Sequence, residues 1–243
     1  MKKLNVIRLS LLTILVFSIT SCLSELIGVT GKGEILTEER NVTAFEGIEL
    51  LGSADIEIVK GETFKVEVSD YENLTEFINV EVDNKLLIIK KKPSTQIIYN
   101  SKTKIYITLP DPLYTIALGG TGNISVKSSF SNLQSVKILG KGNIFLSENA
   151  EYKDVKFTII GVGDIEAKGT TEKLTANITG KGNLNLALLV ANSAECYISG
   201  NGNIYVDVND LLKATISGAG LIEYSGNPVV NTTITGTGSV KHK

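Results

Sequence analysis

Gly140-Lys141-Gly142-Asn143-Ile144 decides how this sequence folds, because it does not stand alone. The pattern occurs upstream at Gly120-Thr121-Gly122-Asn123-Ile124 and downstream at Gly161-Val162-Gly163-Asp164-Ile165, Gly180-Lys181-Gly182-Asn183-Leu184 and Gly200-Asn201-Gly202-Asn203-Ile204. Two looser copies follow, Gly218-Ala219-Gly220-Leu221-Ile222 and Gly236-Thr237-Gly238-Ser239-Val240. The first glycines are 20, 21, 19, 20, 18 and 18 residues apart. A fixed period of this size is the signature of a repeat architecture.

The flanks repeat too. Two residues before each first glycine stand Leu118, Ile138, Ile159, Ile178, Ile198, Ile216 and Ile234; six after it stand Val126, Leu146, Ala167, Leu186, Val206, Tyr224 and His242. Apolar and polar residues alternate on both sides, so each unit reads strand, corner, strand. Both motif glycines share parity with the inward residues, where a missing Cβ lets the chain bend without crowding the interior.

One such unit cannot fold alone, because ordering about twenty residues costs more than its four or so inward aliphatics return. It must pair with the units above and below, so that equivalent positions pile into columns. The expected fold is all-β: a right-handed parallel β-helix, or solenoid, of ~20-residue Gly-x-Gly-x-Ile coils. Residues 31–243 read as one domain, with longer irregular coils over 31–118 and regular coils over 119–243. Gly31-Lys32-Gly33-Glu34-Ile35 and Gly52-Ser53-Ala54-Asp55-Ile56 echo the motif in the irregular half, and Tyr71 to Ile78 reads as a short helix or loop.

Composition agrees. The chain has 23 Gly against 4 Pro and no Trp, so the core is aliphatic and the turns rest on glycine. Residues 1–21 carry Lys2, Lys3 and Arg8 and no acid, leaving 21 basic and 26 acidic residues in the rest. That balance, with no basic stripe, argues against nucleic acid as a partner.

Residues 1–21 read as a lipoprotein signal peptide. The apolar run Leu9 to Ile19 is 11 residues long, too short to span a bilayer. It ends in Ile19-Thr20-Ser21-Cys22, which resembles the bacterial lipobox, where the cysteine is acylated and becomes the new N-terminus. Cys22 is therefore the expected lipidation site, residues 22–30 the lipidated tether, and the membrane a partner through the lipid anchor. Cys196, left without an internal disulfide partner, is expected to be a small buried hydrophobe.

The remaining chemistry is sparse. Asn123, Asn143, Asp164, Asn183 and Asn203 form a row at one corner, read mainly as amide stacking at a turn and otherwise as a polar ladder toward sugar or a cation. The Gly-x-Gly units lack the third glycine and following helix of a dinucleotide site. The one histidine, His242, sits in a charged tail, so no histidine-based triad or metal centre can be built. Arg40 is the only arginine after the leader, and the outward residues Lys127, Ser147, Lys168 and Asp207 form no cluster of one sign. No catalytic residue, metal or cofactor is assigned. Outward Phe145, Tyr197 and Tyr205 are candidates for stacking on sugar or contacting protein.

Phe45-Glu46-Gly47-Ile48-Glu49-Leu50, with Gly52, Asp55-Ile56, the opening Gly31-Lys32-Gly33 and the serial Gly-x-Gly-Asn-Ile units, resembles the head-GIN domain family, described as putative auto-transporter adhesin, across about residues 31–240. The resemblance implies a right-handed β-helix on a lipoprotein of the cell envelope, and it brings no catalytic residues. The expected function is a non-enzymatic envelope lipoprotein at the outer membrane, an adhesin or binding module for a glycan or protein. The alternatives are a structural or assembly component of the envelope and, last, a polysaccharide-acting enzyme.

Overall fold

A computed structural model describes residues 28–92, 97–146 and 148–243, with only the backbone for 97–99. The expected signal peptide 1–21, Cys22 and Ser147 lie outside the described residues. Parallel coils stack into a β-solenoid. One inward column runs Ile89, Leu50, Leu118, Ile138, Ile159, Ile178, Ile198, Ile216 and Ile234, each residue paired in register with the next. After the glycine corner a second column runs Ile105, Ile56, Ile124, Ile144, Ile165, Leu184, Ile204, Ile222 and Val240. Both columns are buried except at the last coil, and their aliphatic side chains fill the tube. Inward positions are alike from coil to coil, so a shift by one residue would turn every inward side chain outward; register is fixed by that penalty.

In the later coils the strand continues around a third side, as in Lys181–Ile198 and Asn201–Ile216, with irregularities between Leu186 and Val190 marking the bend. Cys196 is fully buried in a column between Ala176 and Ala214.

The first half departs from a simple succession of coils. Leu86–Lys91 and Lys104–Leu109 do not stack between 47–60 and 115–126. Leu86–Lys91 and Lys104–Leu109 pair with the far side of Gly47–Leu50 and Asp55–Lys60, and Thr115–Leu118 returns to the near side. Residues 110–114 bridge past the middle coil, with the Tyr114 N–H donating to the Glu46 carbonyl at 2.7 Å. The outermost edges are then covered by antiparallel strands. Lys65–Tyr71 pairs with Lys104–Leu109, Ile35–Arg40 pairs with Lys65–Tyr71, and Ile78–Asp83 pairs with Leu86–Lys91. Antiparallel strands need only short turns, so they can close an end where another parallel coil would need a full circuit of chain.

Two expectations change here. The Gly31-Lys32-Gly33 echo is not a coil corner; it leads into the antiparallel strand Ile35–Arg40, where no coil path exists. The expected tether 22–30 is ordered at its end, because β-branched Val29 and Thr30 form a strand against Ile97–Tyr99 and the Asn73 amide donates to the Thr30 carbonyl at 2.9 Å. Tyr71 to Ile78 contains one 3₁₀ turn, Thr75–Phe77.

At the other end the solenoid is open. Val229–Ile234 and Ser239–His242 pair on one side only among the described residues, and Val229 and Ile234 are 67% and 42% exposed.

Candidate binding face

The glycine corners come first because they set the spacing of everything beside them. Gly120, Gly140, Gly161, Gly180 and Gly200 stack in one line, and Gly122, Gly142, Gly163, Gly182 and Gly202 in a second. A Cβ on Gly142 would fall 1.7 Å from the Gly122 carbonyl oxygen, and one on Gly182 would fall 1.8 Å from that of Gly163. What a side chain would strike is thus the backbone of the coil below rather than the interior. The φ of Gly142 is +140°, a region L side chains rarely adopt. Ala54 occupies the equivalent place in the first corner, and among the described residues no glycine corner stacks beneath it.

Beside the corner, Asn123, Asn143, Asp164, Asn183 and Asn203 form a continuous row of hydrogen bonds. The row begins at Asp55, whose Oδ1 accepts from the Asn123 backbone N–H at 2.9 Å and its side-chain amide at 3.2 Å. Each side-chain oxygen then accepts from the residue above: Asn123 from the Asn143 amide at 3.0 Å, Asn143 from the Asp164 backbone at 3.0 Å, Asp164 from the Asn183 backbone at 2.7 Å. Asn203 Oδ1 ends the row on the Leu221 backbone N–H at 3.1 Å. Leucine can sit there because the last position needs only a backbone donor. Each Oδ1 atom from Asp55 to Asn203 is engaged by the next rung of the stack, the geometry of side chains laddered at a turn.

Two residues further along each strand, the side chains point outward into a groove. In order of stacking the column reads Tyr106, Glu57, Ser125; then Phe145, Glu166, Asn185; then Tyr205, Glu223, Lys241. The nine rungs are three copies of one triplet: an aromatic, a glutamate, a smaller or polar residue. Rungs lie about 4.8 Å apart, so the aromatics recur every ~14 Å. Ser125 and Asn185 leave hollows between the rings. One hollow of about 650 Å³ runs past Phe145, Glu166, Asn185 and Tyr205, walled by Lys127, Lys168 and Leu188, the last 74% exposed. A second, of about 350 Å³, lies between Tyr106, Glu57 and Phe145; both share Ser125 and Phe145.

The structure brings Phe145 and Tyr205 together on this face and leaves Tyr197 off it. Tyr197 stands before the corner, beside Asn177 and Thr215, and donates to Glu195 at 3.1 Å. That bond holds the Glu195 carboxyl below its usual range. Tyr106 was missed in sequence, although Ile105-Tyr106-Ile107 matches Ile204-Tyr205-Val206 in character. His242, the end of the last strand, packs edge-on against Tyr224 with ring centroids 5.0 Å apart.

A parallel solenoid with a repetitive outward face belongs to the class of repeat proteins built from stacked coils. The family model for putative auto-transporter adhesin, head GIN domain, matches residues 44–228, and the chain belongs to that family. No curated protein matches it. A putative adhesin from Bacteroides fragilis is 23% identical, with a TM-score of 0.80 over 89% of this chain and all of that one. A putative adhesin from Parabacteroides merdae and a putative lipid binding protein from Parabacteroides distasonis each give 0.67 at 23% identity over 89% of this chain, covering 99% and 100% of their own. Likeness at this identity is one of fold. Among the described residues no helix is long and apolar enough to cross a membrane.

Proposed function

We propose that this chain is a non-catalytic binding module of the bacterial envelope, held at the outer membrane by acyl chains on Cys22 and making contact through the groove that runs past Phe145 and Tyr205. The observation that carries this reading is the threefold aromatic–glutamate–polar triplet on one continuous face. The same face argues against sugar cleavage. Glu57, Glu166 and Glu223 are three rungs apart, about 14 Å, whereas paired glycosidase carboxylates stand roughly 5–9.5 Å apart. The nearer acids Asp55 and Asp164 each have Oδ1 engaged by the asparagine row.

The anchor is tested by fractionating cells that express the full chain or its Cys22→Ala variant. The variant is expected in the soluble fraction; retention on membranes would sink the anchor. The groove is tested by solid-phase binding of the full chain to purified envelope material. Phe145→Ala and Tyr205→Ala are expected to lose binding, and unchanged binding would remove the groove from the function.

A second reading, an assembly component of the envelope, rests on the open coil end at Val229 and Ile234. Sedimentation of the full chain against Ile234→Lys tests it: a concentration-dependent oligomer lost in the variant supports it, and a monomer in both rejects it.

A further inference from the structure

Resting on the binding reading above, we infer that the ligand of this face is an uncharged linear polysaccharide lying along the solenoid axis. Its rings would stack on Tyr106, Phe145 and Tyr205.

Three features select that chemistry. The first is geometry. Tyr106 and Tyr205 are six rungs apart, about 29 Å, and Phe145 lies midway between them. All three side chains point outward from the same column, with Tyr106 39% exposed. Only an extended polymer reaches all three, and an aromatic face suits the apolar face of a sugar ring as it suits other flat apolar groups.

The second is charge. Glu57, Glu166 and Glu223 run up the column, while Lys127 and Lys168 stand along its flank. A hydroxyl-bearing polymer satisfies both, donating to the carboxylates and accepting from the ammonium groups. A polyanion would meet a glutamate every third rung, and a polycation would meet the lysine flank.

The third is the form of the surface. A peptide recognised by strand addition needs a free sheet edge, and this groove lies on a sheet face whose backbone groups are already paired between coils. Strand addition is thereby excluded on this face, whereas a glycan needs no sheet edge.

The test uses the full chain in detergent and a panel of linear hexasaccharides: neutral gluco-, manno- and xylo-oligomers beside a uronic-acid oligomer. Binding is read by glycan array and by affinity electrophoresis. At least one neutral oligomer is expected to bind, more tightly as length grows from three rings to six. Tyr106→Ala, Phe145→Ala and Tyr205→Ala should each weaken it roughly three- to tenfold, and Tyr197→Ala, on another face, should leave it unchanged. Unaltered thermal melting of the variants shows that folding is not the cause. Tighter binding of the uronic-acid oligomer, indifference to the three aromatic variants, or no neutral oligomer bound would each overturn the inference. If envelope material still binds through Phe145 while no neutral oligomer does, the binding module stands and the glycan assignment alone fails.

Discussion

The Oδ1 atom of Asp164 accepts two hydrogen bonds from Asn183, one from its backbone N–H at 2.7 Å and one from its side-chain amide at 2.9 Å. Aspartate interrupts the asparagine row without breaking it, because the position has to accept upward and can donate downward, to Asn143 Oδ1, through its backbone N–H alone.

Asp164→Asn should therefore leave stability unchanged or slightly raised, since the amide keeps the acceptor and adds a donor toward Asn143. Asp164→Ala should cost about 1–3 kcal/mol, with two donors of Asn183 losing their partner. Urea denaturation of both variants checks this, with Asn209→Ala as a surface control whose one side-chain bond is long, at 3.5 Å.

Gly182→Ala should cost several kcal/mol, because its Cβ would sit 1.8 Å from the Gly163 carbonyl at a φ of +151°. Gly119→Ala is the contrast. Its Cβ would meet the flexible tip of Leu51 at 2.8 Å and the Leu50 carbonyl oxygen no closer than 3.3 Å, with no positive φ, so a much smaller loss is expected. Equal melting temperatures for the two variants would refute the account of the corners.

Burial pushes the Cys196 thiol up from 9.0 to about 12 and the Tyr152 hydroxyl from 10.0 to about 12. Both groups hold their proton longer when folded than when unfolded. Stability is then fully present below pH 9 and falls as pH rises toward 12, because the unfolded chain binds fewer protons there. Denaturation midpoints from pH 7 to 11 measure the loss, and Cys196→Ala should delay its onset to near pH 10. The native thiol should also resist a disulfide reagent at pH 8 until denaturant is added.

Asp70 is buried and accepts from the Tyr71 and Lys102 backbones and from the hydroxyls of Ser101 and Thr103. It ties the strand Lys65–Tyr71 to the start of Lys104–Leu109 at the capped end. Asp70→Ala should destabilise by about 1–3 kcal/mol: four hydrogen bonds are lost, although the Ser101 and Thr103 hydroxyls, 2.7 Å apart, can still bond each other. Amide exchange should quicken in 101–109 before it does in the coils around Ile178; uniform quickening would contradict a local clamp.

What the sequence determined by itself is the coil. A period near twenty, inward aliphatics at fixed offsets and glycine pairs at each bend dictate which residues share a column, because burial penalises every other register in the same way. It also marked Phe145 and Tyr205 as outward. Only the tertiary structure decided how the first half is threaded. The two edges of a coil offer the same backbone donors and acceptors, so nothing local says which edge the strands Leu86–Lys91 and Lys104–Leu109 will join. They take the far side of 47–60, and the antiparallel strands then close over them. That long-range pairing brings Tyr106 three rungs from Phe145 and completes the repeating face, a relation between residues 39 positions apart that no periodic spacing in the chain records.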